Sequence, residues 1–262
     1  MSENILEINN LSKYFGGLAA VSDCSIKVKR GTITGIIGPN GSGKTTLFNL
    51  IAGNLKSSGG NVVFDDENIT DVPSYELFSK GLLRTFQIAH EFSNLSVLEN
   101  LMMVPGNQSG EKIMTALFKP GLVAQEEAVV KEKAKEVVEF LNLGHLSNEL
   151  AGNLSGGQKK LLELGRTMIV DAKLVLLDEV AAGVNRTLLK DLGTAIEKLN
   201  KEKGYTFCMI EHDMDFIGRL CDPVIVMAEG SVLFEGSVDE AKKDEKVIES
   251  YLGRWSKLKD TN

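Results

Sequence analysis

Long apolar runs are missing from this 262-residue chain. A membrane-spanning helix needs about eighteen or more consecutive apolar residues, and no such stretch occurs. No segment is therefore expected to cross a membrane, and any link to one would run through another protein. The opening residues, MSENILEINN, show no basic region followed by an apolar run, so no signal peptide is expected there. Basic excess is missing too: 29 Lys and Arg face 36 Asp and Glu, a net charge of −7. A sequence-blind nucleic-acid binder needs a basic stripe, and a polybasic membrane anchor needs a basic cluster; the acidic balance argues against both. Cysteine is scarce. The three, Cys24, Cys208 and Cys221, are odd in number and have no zinc-site spacing. Cys24 and Cys208 fall in strand-like runs and read as small core residues, which implies a reducing, cytoplasmic setting.

What is present is ordinary globular material, 43% hydrophobic and 25% charged. It suffices for one large domain or two small ones. ILEI at 5–8 and CSIKVK at 24–29 alternate like half-buried strands, and TITGII at 32–37 has the β-branched character of a buried one. KTTLFNLIAG then reads as a helix stopped by Gly53, and GGNVVF as another strand. From about residue 88 to 170 helical patterns dominate. SVLE at 96–99 is a capping box. Residues 125–142 place Val130, Ala134, Val137, Val138 and Leu141 on one helical face. Between these, residues 106–122 read as a loose excursion bounded and broken by Pro105, Gly106, Gly110, Pro120 and Gly121. Strand–helix alternation returns with KLVLLDE, a helix over 187–202, the strand YTFCMIE and a short helix over 213–221. VIVMAEGSVLFE reads as two strands joined by a turn at Glu229-Gly230. The pattern predicts one α/β nucleotide-binding core interrupted by a helical insertion, with no internal repeat or low-complexity tract.

GPNGSGKT at 38–45 matches G-x-x-x-x-G-K-[ST], and it lies between a predicted strand and a predicted helix, as that motif requires. The expected nucleotide-binding segment runs through Gly38, Pro39, Asn40, Gly41, Ser42, Gly43, Lys44, Thr45 and Thr46. Its glycines let backbone N–H groups turn inward on phosphates. Lys44 adds a point charge for the β and γ phosphates, and the Thr45 hydroxyl is a hard oxygen ligand for Mg²⁺. LVLLDE ends in Asp178 and Glu179. Beside a phosphate loop, Asp178 suits the metal, and Glu179 can polarise an attacking water as general base. A second glycine pair, in LSGGQ at 154–158, opens a predicted helix and has the form of an anion site. Ser155 and Gln158 also fit a capping box, but a cap alone leaves two glycines at poor helix positions without a reason.

In order and spacing, GPNGSGKT, RTFQ, LSGGQ, LVLLDE and IEHD resemble the motifs of ABC-transporter ATPase subunits, over about residues 3 to 253. LSGGQ is the most specific, since other phosphate-loop ATPases lack it. The resemblance implies a P-loop NTPase core of mixed sheet with an antiparallel β edge and an inserted α-helical subdomain. Residues 1–87 and 171–253 would form the core, 88–170 the helical signature subdomain and 254–262 a polar tail, all within one ABC ATPase domain. It implies ATP and Mg²⁺ as ligands, and two cassettes packed head to tail. Ser155, Gly156, Gly157 and Gln158 of one cassette would then face the ATP of the other. Gln87, in RTFQ, would approach the Mg²⁺ and the water. His212, in IEHD, would contact the γ-phosphate and orient Glu179. Phe15, before Gly16-Gly17, or its neighbour Tyr14, would stack on adenine. Val180, Asn185 and Arg186 depart from the family pattern around AAGVNR at 181–186.

GLLRTFQ, the 106–122 excursion, AAGVN, IEHDMDFI and VIESYLG together resemble the branched-chain amino acid importer ATPases, the LivG-like subfamily. That implies a peripheral subunit on the cytoplasmic face of the membrane. Its partners would be a second ATPase, identical or different, two transmembrane permease subunits and, indirectly, an external binding protein, with no nucleic acid. Importers of urea and related amides, and lipopolysaccharide extractors, share much of the pattern. A soluble ABC ATPase acting on nucleic acid usually carries two cassettes or a long coiled coil, and a phosphate-loop kinase would leave LSGGQ unexplained.

Overall fold

The computed structural model describes residues 2–85, 91–106, 108–111 and 113–251. Strand β1 (Asn4–Phe15) and β2 (Leu18–Lys29) form an antiparallel hairpin about Gly16-Gly17. Both are longer than the alternating runs in the sequence. The pairing shifts register between Ile8 and Leu11 and again before Lys13, and Asn10 sits at φ 48°. Such irregularities break the period of two by which a strand is recognised. Buried β3 (Ile33–Ile37) leads to helix α1 (Lys44–Ile51), and β4 (Gly59–Phe64) follows. Three short elements then come that the sequence pattern does not announce: β5 (Glu67–Asn68), α2 (Ser74–Lys80) and β6 (Leu82–Arg84). None is long enough to display a period.

Helices α3 (Val97–Met102), α4 (Ile113–Phe118), α5 (Pro120–Phe140) and α6 (Gly156–Ile169) come next. The remaining elements are β7 (Leu174–Asp178), α7 (Arg186–Lys203), β8 (Thr206–Ile210), α8 (Met214–Leu220), β9 (Val224–Ala228), β10 (Ser231–Gly236) and α9 (Val238–Ala241). The described residues fall into two compact units. One takes the chain up to residue 84, 173–181 and 197 onward; the other takes 85–172 and 182–196.

The first unit holds two sheets, ordered β2-β1-β4-β5 and β10-β9-β3-β8-β7-β6. The first is antiparallel throughout. In the second, β9, β3, β8, β7 and β6 are parallel and β10 adds an antiparallel edge. β9 and β10 are joined by a two-residue turn in which Glu229 and Gly230 both have positive φ, 48° and 83°. A hairpin turn of type I′ needs that at both central positions. Leu6, Ile8 and Leu11 of β1 pack in one core with Leu47 and Phe48 of α1 and Leu176, Ile210 and Met227 of the second sheet. Each such buried side chain contributes about 1.5–3 kcal/mol relative to exposure. Cys24 and Cys208 lie in this core, and burial pushes both thiols up to about 12. Because the parallel strands share a direction, their carboxyl ends share an edge, where α/β sheets place their ligands.

In the second unit α3, α5 and α6 pack together through Leu101, Val137 and Leu141. A Cβ on Gly165 would lie 2.8 Å from Leu141 Cδ1 and 3.1 Å from Val137 Cγ1, so glycine lets α6 approach that closely. Asn100 is fully buried and satisfied: Oδ1 accepts from the Phe92 N–H and Arg166 Nη2, and Nδ2 donates to the carbonyls of Phe92, Leu95 and Ser96. The capping box at Ser96 and Glu99 is present. The described part of the excursion holds more helix than its composition suggests. α5 begins at Pro120 rather than near 125. Proline at the first helical position has no N–H to waste and a φ already suited to the helix, so Pro120-Gly121 opens the helix instead of breaking the chain. α4 before it leaves Ile113, Met114, Leu117 and Phe118 exposed.

Candidate functional site

The loop from Gly38 to Gly43 leaves the carboxyl end of β3 and feeds α1. Gly38, Gly41 and Gly43 have φ of 149°, 77° and 102°. A Cβ on Gly38 would stand 2.2 Å from the Met227 carbonyl oxygen, and one on Gly43 2.4 Å from that of Ala20. Glycine is thus demanded here twice over, by dihedral and by close backbone approach. Lys44 is 5% exposed, and its ammonium donates to the carbonyls of Gly38 (2.8 Å) and Pro39 (3.1 Å) and to Ser42 Oγ (3.4 Å). The N-cap of α1 is Gly43, with no side-chain cap. First-turn amides left without a side-chain acceptor, beside a buried ammonium, suit a polyphosphate.

The next strand ends bring in the carboxylates. Asp178 is the last residue of β7 and pairs with Ile210 at the end of β8. It is buried, and Arg84 Nη2 at the end of β6 donates to its Oδ2 at 2.6 Å. Arg84 Nη1 also donates to Asn49 Oδ1 at 2.6 Å. The guanidinium supplies the countercharge that a buried carboxylate needs. Glu179 follows at φ 49°, a left-handed conformation rare outside glycine. Its N–H still bonds the Ile210 carbonyl at 2.9 Å, while its side chain turns to His212, with Oε1 3.0 Å from Nε2. Strain of this kind collects at functional positions. His212 follows Glu211 at the end of β8, so the pairing of β7 with β8 brings Glu179 and His212 together across 33 residues.

Thr45 is exposed at the start of α1. Its hydroxyl and the Asp178 carboxylate are hard oxygen donors, the chemistry Mg²⁺ takes. Thr46 is half-buried one position on. At the β1–β2 hairpin Tyr14 and Phe15 are each 50% exposed, so neither belongs to the core, and Lys13 Nζ lies 5.3 Å from the Phe15 ring centroid. Gln87 lies outside the described residues.

In the second unit Ser155 caps α6. Its Oγ accepts from the Gln158 N–H at 3.4 Å, and Gln158 Oε1 accepts from the Ser155 N–H at 2.9 Å. The two glycines differ. A Cβ on Gly157 would come within 2.6 Å of Leu188 Cδ1, so packing accounts for that glycine without any ligand. A Cβ on Gly156 would meet only the Gly183 carbonyl oxygen, at an ordinary 3.8 Å. Asn185, where the family pattern has Asp, accepts from the Leu188 N–H at 3.0 Å and helps open α7.

Two residues in the first unit escaped the sequence reading of chemistry. Arg84 stands inside RTFQ, but its role depends on β6 lying beside β7. Glu211 stands inside IEHD, yet its burial shows only in three dimensions. A charged residue ending an apolar strand run is the one signal either carries.

The parallel sheet, the glycine loop at its switch edge and the paired acids on the next strands define a phosphate-loop ATPase. The family model described as ABC transporter matches residues 21–182. A probable branched-chain amino acid transport ATP-binding protein, LivG, of Archaeoglobus fulgidus is 43% identical over 249 residues, covering 95% of both chains. A solved nucleotide-free ATP-binding cassette from an ABC transporter has a TM-score of 0.82 and 40% identity, covering 95% of this chain and 98% of its own. An ABC-transporter cassette solved in an ADP conformation has a TM-score of 0.81 and 39% identity, covering 96% of this chain and 100% of its own. The chain belongs to the ABC transporter family, as an ATP-hydrolysing cassette subunit. Membership implies binding of ATP and Mg²⁺. Among the described residues no helix is long and apolar enough to cross a membrane.

Proposed function

We propose that this chain energises import of branched-chain amino acids, as the peripheral ATPase on the cytoplasmic face of a membrane complex. Its partners in this reading are a second cassette, two permease subunits and, indirectly, an external binding protein. The observation that supports the cargo is likeness along nearly the whole length to LivG of Archaeoglobus fulgidus. The observation that supports the chemistry is the Glu179–His212 contact at the strand edge that also holds the phosphate loop.

In this reading residues 38–46 hold the triphosphate, with Lys44 turning its ammonium from the loop carbonyls toward the β and γ phosphates. Phe15 or Tyr14 covers the adenine. Thr45 and Asp178 hold Mg²⁺, joined by Gln87; the bound ion supplies positive charge to the phosphoryl oxygens. Glu179 takes a proton from the attacking water, and His212 holds its carboxylate in place. Ser155, Gly156, Gly157 and Gln158 approach the nucleotide held by the opposite cassette, through the free face at Gly156. Closure of the two cassettes on ATP then drives the permease, because contacts to the γ-phosphate from both halves exist only in the closed state.

Glu179→Gln tests this directly. The tagged variant, captured from membranes of its own host with ATP and Mg²⁺, is expected to bind nucleotide, turn over at least a hundredfold more slowly and bring down two permease subunits with a second cassette. Unchanged turnover removes Glu179 as base. Recovery with ribosomal or nucleic-acid factors instead of permeases replaces the importer by a soluble ATPase.

A further inference from the structure

Glu211 is a buried carboxyl beside the site that the proposed chemistry leaves without a task. It follows β8 directly and is 3% exposed. Its two oxygens are divided. Oε1 accepts the Ala181 N–H at 2.7 Å, and Oε2 accepts the His212 N–H at 3.3 Å. Among the described residues it enters no ion pair. A carboxyl held this far from water without a cation needs a reason, since hydrophobic or neutral polar side chains fill such a place at less cost.

The ladder between β7 and β8 shows what it does there. The last strand pair is Asp178 with Ile210, followed by one more backbone bond, from the Glu179 N–H to the Ile210 carbonyl. Beyond that the two chains part. Glu179 has turned left-handed, and the amide of Ala181, two residues on, takes a side-chain acceptor instead of a backbone carbonyl. Glu211 supplies the missing rung from its side chain. It holds the chain two residues after Glu179 with one oxygen and the backbone of His212 with the other. Outside this rung the side chains of Glu179 and His212 meet at 3.0 Å. The result is a closed frame: the side chains of Glu179 and His212 meet in front, and one buried carboxylate ties the amides of Ala181 and His212 behind.

We infer that Glu211 is a positioning residue for hydrolysis, which through its bonds to the amides of Ala181 and His212 sets the spacing of Glu179 and His212. This rests on the roles proposed above for those two residues. The ionised carboxylate offers a strong acceptor to each amide. A protonated carboxyl keeps one such oxygen and only a weak acceptor on its hydroxyl, and the His212 bond, being longer, is the one that weakens. Burial pushes the Glu211 carboxyl up to about 7; the charges of Glu179 and Asp213 push the same way, and the two amides oppose them. Glu211 in turn helps raise the Cys221 thiol, so the titratable groups felt at Glu211 are Glu179 after β7, Asp213 at the start of α8 and Cys221 just beyond it, with His212 bonded through its backbone. The frame is therefore complete above about pH 7 and opens as the pH falls through that value.

Glu211→Gln is the isosteric test. The amide keeps an acceptor for Ala181 and presents a donor to the His212 N–H, imitating the protonated state at every pH. Steady-state ATP hydrolysis by the full chain with its membrane partners is followed from about pH 5.5 to 8.5, with ATP affinity and thermal melting on the same samples. Wild-type kcat should fall on the acid side of neutrality. In Glu211→Gln kcat should be about a hundredfold lower on the alkaline side, as for other small misplacements of reacting groups, and should meet the wild-type value as the pH falls. Its acid limb should be flat, and its KM and ATP affinity unchanged. Glu211→Asp, which restores the charge on a shorter arm, should recover part of the rate and of the limb. Wild-type kcat in Glu211→Gln, or an acid limb that persists unaltered in it, overturns the inference. So does loss of kcat accompanied by loss of ATP affinity, which marks a residue needed only for the fold. Glu179→Gln is run beside it. Should that variant keep wild-type turnover, the assignment of the base has failed rather than the frame behind it.

Discussion

The chain carries two glycine-rich helix starts, and they are built on opposite principles. At α1 the glycines are required by the chain's own backbone: φ is positive at Gly38 and Gly43, and each would drive a Cβ into a carbonyl oxygen of another strand. The helix that follows has no side-chain cap on its first amides. At α6 the helix caps itself through Ser155 and Gln158. Gly157 answers to Leu188 and Val184 packed against it, and only Gly156 faces ordinary space. At the first site both glycines are accounted for by the backbone around them. The second has one glycine on which the described residues place no internal demand, which is what the proposed contact with an opposite cassette requires. The difference teaches that a glycine pair in a motif does not have a single cause, and that the part which speaks of function is the part packing leaves unexplained.

Three substitutions would break or sharpen that contrast. The largest effect belongs to Lys44→Ala, which removes the ammonium held among the loop carbonyls. Hydrolysis should fall by several orders of magnitude, and nucleotide binding, measured by titration calorimetry, should be lost or severely weakened. Turnover like that of the unaltered chain would end the reading of this loop as a phosphate cradle. Gly157→Ala should cost about 1–3 kcal/mol of stability, because the added methyl must displace Leu188 in a packed contact. Denaturant unfolding gives that number directly, and a value near zero would remove packing as the reason for glycine at 157. Gly156→Ala should change stability by about 0.5 kcal/mol or less, helix propensity favouring alanine and space being available. Its effect should appear only in hydrolysis by the assembled cassettes. A variant equally active in the assembly would leave Gly156 without a function.

The same contrast separates what was readable from what was not. The glycine loop between β3 and α1, the capping boxes at Ser96 and Ser155 and the hairpin turn at Glu229-Gly230 are each written within a few consecutive residues, and each is found where it was expected. The buried strands β3, β7 and β8 are legible for the same reason, as short apolar β-branched runs ended by polar residues. Pattern failed where an element is too short to have a period, as in β6, or where irregular pairing interrupts it, as in the far half of β1. It also failed at Pro120, where a residue that breaks helices in their interior begins one.

By itself, then, the sequence determined the local devices: which loop is turned by glycines, which helices cap themselves, which strands are buried, and that acids stand at a strand tip. Hydrogen bonds to neighbours three or four residues away and the steric freedom of glycine suffice for all of these. The tertiary structure alone decided which strand tips stand side by side. Only the order β3-β8-β7-β6 brings Arg84 to Asp178, His212 to Glu179 and the buried Glu211 to the amide of Ala181. Those contacts join residues 30 to 94 positions apart. Over such separations no local rule operates, and the pairing of parallel strands, set by burial of both sheet faces, determines which charges meet.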